Sequence, residues 1–301
     1  MTYTHEQSGR AARMPAGQQP AARHGRPDRR MLYMDPGRRG QEVSDVRPPG
    51  EGNVPAALVF LSACGGVGLS TCLALCAKIL AGRGWRCAIV DADLAAGGMD
   101  VLLGLETDPG LRLSELEAPL GRMDPDALTH ELPKWEGIAV LSSDPWKGAP
   151  PQAWDLDAAL AAMGARSDLL LVDGAGGQGL EGLEALAGQP RLVLAELSVL
   201  GVARTRALLG RVEEGSSGPV EVVGVAPRGV RGAPPVSQGE AEDFLGRPLL
   251  AVLKPRAKLA TGILEGLGVE RIPRSYRKPL AAIGDRAEAL AGLGSPKGVW
   301  T

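Results

Sequence analysis

The sequence predicts an α/β protein with a mostly parallel sheet that is covered by helices on both faces. Short, nearly continuous apolar runs alternate with amphipathic segments along the chain, and continuous apolar runs are typical of strands buried on both sides. A glycine-rich turn joins the first apolar run to the first helix, and aspartates close two further runs. A chain of 301 residues with 44% hydrophobic residues is large enough to bury one core of this kind.

The apolar runs place the strands, and the helical periodicity between them places the helices. The predicted strands are 56–63, 86–90, 137–142, 169–173, 191–197, 220–226 and 249–253. The predicted helices are 71–81, 154–165, 181–188, 199–214, 238–246, 257–266 and 279–292. The last of these has a weak apolar stripe, which favours packing on the sheet over anchoring in a membrane.

Composition divides the chain into three parts. Residues 1–54 are rich in Gly, Pro, Gln and Arg, without apolar periodicity, and are predicted to be a disordered basic tail. Acids and prolines interrupt its arginines, which favours a solvated tail over an arm for nucleic acid, acidic lipid or a partner. Residues 55–294 form one predicted domain, and 295–301 form a short C-terminal tail.

Charge and hydropathy limit the function classes. The formal net charge of -2 gives no strong signal for nucleic-acid binding. No apolar run approaches the roughly 18 residues of a membrane span, and the first residues lack the apolar core of a secretion signal. The sequence therefore predicts a cytoplasmic protein that reaches a membrane only through partners.

The four cysteines have no paired CxxC spacing. Cys72 and Cys76 are four residues apart on a predicted helix, which would suit either a pair of metal ligands or small buried residues. We favour buried residues on a packed helix face. Reduced thiols are also consistent with the cytoplasm.

The glycine-rich turn CGGVGLST, residues 64–71, has the properties of an anion-binding loop. Glycines allow successive backbone N–H groups to turn inward, and the following helix directs its positive end to the same point. A hydroxyl directly after such a loop can bind Mg²⁺. The predicted nucleotide-binding residues are Gly65, Gly66, Val67, Gly68, Leu69, Ser70 and Thr71.

Three carboxylates are expected beside this loop. Asp91 and Asp93 follow the second strand, and Asp173 closes the run LLLVD. The carboxyl ends of parallel strands meet at the ligand-binding edge of the sheet. Carboxylates around a phosphate cradle indicate metal-assisted chemistry on a nucleotide, although any one of them alone could simply cap a loop.

Together these residues resemble the ParA/MinD group of P-loop ATPases, whose loop reads K-G-G-x-G-K-[ST]-[ST]. The stretch VDADLAAGGMDVLLGLETDPGLRLSEL, which begins at Val90, resembles the CpaE/TadZ branch, including its actinobacterial members with septum-site names. LLVDGAGG, the Glu-Leu-Ser at 196–198 and the L-A-V-L-x-P at 250–255 extend the resemblance over about 56–292. CpaE-like proteins often carry a receiver-like domain first, for which 1–54 is too short and polar.

The resemblance implies a role for each matching residue. Ser70 would bind Mg²⁺, Asp91 and Asp173 would hold the metal or its waters, and Thr71 would contact the α-phosphate. Asp93 would be the catalytic residue that positions the attacking water. The implied cofactors are ATP and Mg²⁺.

Two departures affect this chemistry. Cys64 and Leu69 stand where the family loop has lysines that neutralise phosphate charge, one of them across a dimer. Losing such cations should slow hydrolysis by roughly a hundredfold or more. Pro227-Arg228 replaces the family's Asn-Arg, which puts base specificity in doubt.

Three functions follow from the resemblance. The favoured one is a nucleotide-binding or pseudo-ATPase scaffold, acting as a homodimer that positions a Tad/Flp pilus, secretion or septum-site machine at the inner face of the membrane, a pole or the septum. The second is an active MinD/ParA-type ATPase that cycles between monomer and ATP-bound dimer. The third is a ParA-like partitioning protein, which needs a basic patch that the overall charge does not provide outside 1–54.

Overall fold

The computed structural model describes residues 55–143, 151–180, 182–229 and 232–294. The predicted tails, 1–54 and 295–301, lie outside these residues. Within them, one sheet contains eight strands, and all neighbouring strands are parallel except the third and fourth, which pair antiparallel. The predicted fold class is confirmed.

Seven of the eight strands agree with the apolar runs to within about one residue at each end. They are β1 (Ala57–Ser62), β2 (Cys87–Asp91), β3 (Lys134–Trp135), β4 (Ile138–Leu141), β5 (Leu169–Asp173), β6 (Arg191–Glu196), β7 (Val220–Val225) and β8 (Leu249–Leu253). Their order in the sheet is β3-β4-β2-β5-β1-β6-β7-β8. The strand β1 is therefore central, and β8 is an edge strand.

The helices fill the segments between the strands. They are α1 (Leu69–Gly82), α2 (Met99–Leu103), α3 (Pro125–Glu131), α4 (Ala153–Arg166), α5 (Val199–Gly215), α6 (Gln238–Leu245), α7 (Ala257–Leu264) and α8 (Arg277–Leu290). Single 3-10 turns lie at Leu113–Glu115, Pro119–Gly121, Glu184–Leu186 and Arg274–Tyr276. No helix in the described part of the chain is both long and apolar enough to cross a membrane.

Strand β1 shows how the sheet divides the core into two layers. Val59 and Leu61 pack with the layer of α3, α4, α5 and α6, whereas Leu58 and Phe60 pack with that of α1 and α8. This alternation follows from the two-residue period of a strand. As predicted, α8 packs on the protein, with Leu280, Ile283 and Ala287 buried against α1 and β8.

The predicted helix at 181–188 is wrong, because only the 3-10 turn Glu184–Leu186 forms there. Gly182 and Gly188 adopt positive φ angles of 87° and 73°, which leave space for a single turn. The Asp157 carboxylate accepts hydrogen bonds from the first two N–H groups of that turn.

Sequence analysis also missed α2, α3 and β3. The helix α2 has five residues and β3 has two, so neither is long enough to show a period. The helix α3 did carry a signal: the Asp124 side chain caps it, and Pro125 occupies its first position.

Two glycines of α5 allow a matched test of this packing. A Cβ on Gly201 would lie 2.4 Å from the Glu196 carbonyl oxygen, whereas a Cβ on Gly210 would meet nothing within 4 Å. We expect Gly201→Ala to lower the free energy of unfolding by about 1–3 kcal/mol and Gly210→Ala to raise it by about 0.5–1 kcal/mol. Urea unfolding measures both variants, and equal effects would contradict the close approach of α5 to β6.

Candidate functional site

The candidate site lies where the carboxyl ends of β1, β2 and β5 meet. Strand β5 lies between β1 and β2, and the register places Asp91 of β2 opposite Asp173 of β5. The loop that leaves β1 runs beside them into α1. The structure therefore brings the predicted loop and both strand-end carboxylates together.

The loop has the open geometry of an anion cradle. Gly66 and Gly68 have positive φ angles of 73° and 95°. A Cβ on Gly65, Gly66 or Gly68 would meet no atom within 4 Å. The 14-residue helix α1 starts directly after Gly68 and has no side-chain cap, so its first N–H groups are free to bind an anion.

Ser62 holds this loop on the sheet. Its hydroxyl accepts a hydrogen bond from the Cys64 N–H at 3.2 Å and donates to the Leu194 carbonyl of β6 at 3.1 Å. Its own N–H donates to the carbonyl of Ala175, a non-glycine residue with a positive φ of 46°. Sequence analysis missed Ser62 and Ala175, because only the fold brings their segments together.

Ser70 and the two buried aspartates form the polar floor of the site. Ser70 donates a hydrogen bond to Asp173, which also accepts from the Ala175 N–H at 3.1 Å. Asp91 accepts from the N–H groups of Asp93 at 3.2 Å and Met99 at 3.1 Å. Both carboxylates are almost fully buried, with 1% exposure for Asp91 and 2% for Asp173.

Burial and neighbouring negative charges raise the pKa of both carboxylates. Burial, reinforced by the charge of Asp173, raises the pKa of Asp91 to about 7. Burial also raises the pKa of Asp173, although its hydrogen bonds from Ser70 and Ala175 oppose that change. Paired anions of this kind are suited to a divalent cation.

The donor set fits Mg²⁺, which prefers oxygen ligands and keeps several waters or phosphate oxygens. Ser70, Asp91 and Asp173 supply oxygen atoms on one side of the cradle. Among the described residues, no group of three or more His, Cys, Asp or Glu side chains could hold a metal by itself. A metal here would therefore share its coordination with bound phosphate and water.

Asp93 lies close enough to both buried aspartates for its charge to raise their pKa values. Its Oδ1 atom accepts hydrogen bonds from the N–H groups of Ala95 at 3.3 Å and Ala96 at 3.0 Å. One carboxylate oxygen thus shapes the turn after β2. The other accepts no hydrogen bond from the described residues and is available to a ligand or water.

The apolar residues of the loop point into the protein. Val67 and Leu69 are buried at 8% and 9% exposure and join the core layer of α1 and α8. They can contact a ligand only through their backbone N–H groups. Cys64 and Thr71 are half-buried.

Lys78, the one lysine of α1, is engaged elsewhere. Its Nζ donates to the Glu136 carboxylate at 2.7 Å and to the Glu270 carbonyl at 2.6 Å. The ammonium also lies 5.6 Å from the centre of the Trp135 ring. It therefore ties α1 to the β3–β4 hairpin and to the segment after α7.

The cysteines of α1 are packed residues, as we favoured. Cys72 and Cys76 are buried in the core, and burial raises the pKa of the Cys72 thiol to about 12 and that of Cys76 well above its usual value. Thiols held in the neutral form are poor metal ligands.

Arg112 organises the segment that follows Asp93. Its guanidinium donates to the carbonyls of Leu105 at 2.8 Å, Asp108 at 3.1 Å and Gly110 at 3.2 Å. It also lies 3.9 Å from the Asp100 carboxylate in α2. This buried clamp was not visible from the sequence, where Arg112 is one of many arginines.

No protein-family model matches the chain. An uncharacterized protein of Mycobacterium tuberculosis, found in strains CDC 1551 and H37Rv, is 31% identical over 220 residues. The match spans 72% of this chain but only 59% of that relative. An uncharacterized ATP-binding protein of Methanocaldococcus jannaschii is 30% identical over 142 residues, which cover 46% of this chain and 51% of that protein.

Solved structures establish the fold. A ParA family ATPase from Chlorobium tepidum superposes with a TM-score of 0.63 at 18% identity, covering 78% of this chain and 98% of that one. The Aquifex aeolicus MinC:MinD cell division complex gives 0.59 at 20% identity, with 81% and 98% covered. MinD from Pyrococcus horikoshii, complexed with Mg-ADP, gives 0.52 at 20% identity, with 78% and 94% covered. The chain has the P-loop fold of MinD and ParA ATPases.

The raised pKa of Asp91 predicts how stability depends on pH. The folded protein keeps this proton up to about pH 7, whereas an unfolded chain loses it near pH 3.9. Between these values the folded state binds more protons, so the free energy of unfolding should fall as the pH rises from about 4 to 7, by roughly 2–4 kcal/mol. Urea unfolding at several pH values measures this slope.

Mg²⁺ and Asp173→Asn serve as two controls. Mg²⁺, compared with K⁺ at equal ionic strength, should recover part of the lost stability at pH 8 and little at pH 5, because it replaces the proton. Asp173→Asn should make the slope shallower, because it removes the neighbouring charge while Asp91 remains buried. A flat wild-type profile would contradict the assignment.

Proposed function

We propose that this chain is a nucleotide-binding member of the ParA/MinD family, in its CpaE/TadZ-like branch, that acts as a localisation or scaffold factor. The machine that it positions is of the Tad/Flp pilus, secretion or septum-site type. The MinD/ParA fold, the loop at 64–71 and the strand-end carboxylates support the family. The stretch after Val90 supports the branch.

One observation carries this proposal: the backbone cradle is kept, while its two lysine positions hold Cys64 and the buried Leu69. No cation of α1 replaces them, because Lys78 is paired with Glu136. The site therefore combines features for holding phosphates with the loss of side chains that stabilise their transfer. Loss of one such donor costs roughly 2.7–4 kcal/mol of transition-state stabilisation in a comparable case.

The residues that remain can bind a nucleotide. The N–H groups from Gly65 to Thr71 would hold the phosphates, and Ser70, Asp91 and Asp173 would hold Mg²⁺. When bound, Mg²⁺ neutralises phosphate charge that the missing lysines leave uncompensated. Asp93, with one free carboxylate oxygen, would direct a water towards the phosphates.

Binding without fast turnover suits a scaffold. A bound nucleotide would order the loop and the segment after β2, and it would favour a homodimer that recruits the machine's components. Cytoplasmic protein would then be held at the inner face of the membrane, a pole or the septum through these partners.

The second candidate is an active ATPase of the MinD/ParA type that cycles between monomer and dimer. The position of Asp93 beside Asp91 and Asp173 favours it, because this is where an attacking water would be oriented. Turnover that Asp93→Ala abolishes would support this candidate over the scaffold.

Calorimetric titration with ATP, ADP and GTP in the presence of Mg²⁺ tests nucleotide binding. We expect micromolar binding of ATP, and its loss in Gly68→Asp, because the new carboxylate would enter the open cradle and repel phosphate. Gly246→Asp is the matched control: Gly246 also has a positive φ, 70°, and open space, but it caps α6. No ATP binding up to millimolar concentration, or equal loss in both variants, would overturn the nucleotide proposal.

Restoring the lysines separates the scaffold from the ATPase. We expect Cys64→Lys/Leu69→Lys to raise the Mg²⁺-dependent rate of ATP hydrolysis by about a hundredfold or more over the wild type. The Leu69→Lys stem can follow the buried path of the leucine while its ammonium reaches the cradle. Phosphate release measures the rate, and urea unfolding checks that the variant is folded.

Three results of this assay have distinct meanings. A gain that Asp93→Ala removes would support an intact site that lacks only its cations. Fast turnover by the wild type, unchanged by the added lysines, would support the active ATPase. A folded double variant that binds ATP but remains inactive would show that more than the lysines has been lost.

A further inference from the structure

A second concave site lies beside β8, three strands from β1 in the sheet. It is an open cavity of about 370 Å³. Its floor is formed by the consecutive residues 250–252 of β8, and its wall by the first residues of α8. Successive side chains of a strand point to opposite faces of the sheet. Three consecutive residues of β8 line the cavity because it runs along the free edge of this strand.

Cations from two separate elements line this cavity. Lys254 and Arg256 follow β8, and Lys278 lies in the first turn of α8. The hydroxyl-bearing residues Ser275 and Tyr276 also line it, and no Asp or Glu does. Throughout the described chain, no residue forms a hydrogen bond or ion pair with any of the three cations.

Tyr276 shows that further positive charge converges here. Burial raises the pKa of its phenol, Cys72 of α1 adds to that rise, and the charges of Arg256 and Arg228 oppose it. Arg228 comes from the segment after β7, so cations of three segments act at one place. Like charges repel one another, and an anion bound among them would relieve that repulsion.

The surrounding sequence concentrates this charge. Residues 254–278 contain two glutamates and seven basic residues: Lys254, Arg256, Lys258, Arg271, Arg274, Arg277 and Lys278. The expectation that no basic patch lies beyond 1–54 is therefore corrected. It rested on the net charge of the whole chain, in which acidic residues elsewhere cancel the positive charge of this segment.

Elsewhere, basic side chains on the same face of the sheet are neutralised by carboxylates. Arg83 pairs with Glu288 at 3.0 Å, and Arg286 pairs with Glu221 at 2.6 Å. In contrast, Arg277 and Lys278 occupy the first turn of α8 with no acidic residue there, although the positive end of a helix dipole disfavours cations. Such local conflicts are typical of functional positions.

We propose that this cavity binds the phosphate group of a small organic phosphate. The cations would hold the phosphate oxygens, the hydroxyls of Ser275 and Tyr276 would add hydrogen bonds, and the apolar floor of β8 would contact the organic part. The volume is that of a small-ligand site, and such sites combine an apolar lining with a few convergent polar groups.

Calorimetric titration with inorganic pyrophosphate tests the proposal in Gly68→Asp, whose glycine-rich loop is blocked. At an ionic strength of about 0.15 M, where weak surface attraction is screened, we expect binding to one site. Arg256→Glu/Lys278→Glu should weaken it at least tenfold, because it removes two charge-assisted contacts. Arg204→Glu/Arg211→Glu is the matched control, with the same charge change at exposed positions of α5.

Phosphatidylcholine vesicles with and without phosphatidic acid identify the source of the phosphate. Sedimentation with the acidic vesicles, lost in Arg256→Glu/Lys278→Glu, would support a lipid head group. Pyrophosphate binding without sedimentation would support a soluble ligand. If the charge reversal does not fold, Arg256→Gln/Lys278→Gln takes its place, with the matching glutamine control.

Two results would overturn the proposal. One is no pyrophosphate binding, including the case in which the protein binds duplex DNA instead, which would make the segment a nucleic-acid surface. The other is equal weakening by the cavity and control variants, which would show only general attraction between opposite charges.

Discussion

The parallel pairing of β2, β5 and β1 is the constraint on which the rest of this structure depends. Both faces of these strands are covered by helices, so their side chains are apolar along almost the whole length. Polar groups are tolerated only where the strands end. Asp91 and Asp173 are therefore opposite each other at that edge, and the polar end of β1, Ser62, lies beside them. The fold itself places anions, hydroxyls and open backbone N–H groups in one small volume.

This arrangement balances opposing charges within a few ångströms. The cradle and the N-terminal end of α1 are positive, because unsatisfied N–H groups lie there. The two buried aspartates are negative and resist ionisation while they face each other. A phosphate bound with a divalent cation would satisfy both halves at once, whereas either partner alone would leave one half uncompensated. This reciprocity is why Ser70, which joins the helix start to Asp173, is central to the site.

The sequence predicted the sheet almost completely, because each strand of the parallel core is a continuous apolar run between turn residues. Gly66 and Gly68, Asp91 and Asp173 were also visible, since strand ends of a parallel sheet converge. The helix predicted at 181–188 was wrong because the spacing of apolar residues does not show that Gly182 and Gly188 adopt positive φ angles, which are not helical.

Some features of the two sites depend on contacts between distant segments, which one sequence does not reveal. Ser62 and Ala175 belong to different strand–loop junctions. The role of Arg112 is apparent only from the three backbone carbonyls to which its guanidinium donates hydrogen bonds. The β8 cavity combines residues after β7, after β8 and at the start of α8. The basic residues of this segment can be read from the sequence. They were overlooked because the charge was considered only for the whole chain.

Leu69 shows how the loop can keep its shape with an apolar residue where the resemblance would place a lysine. A buried leucine contributes roughly 1.5–3 kcal/mol relative to an exposed one, whereas a lysine at this position serves mainly the bound phosphate. The glycines of the loop are needed in either case, because Gly66 and Gly68 take positive φ angles in the turn from β1 to α1. Leucine is thus favoured for stability wherever phosphate transfer is not required, and the turn that forms the cradle is needed for structural reasons in either case. The shape of the loop is therefore weak support for hydrolysis, and the side chains at 64 and 69 are more informative about activity than the glycines between them.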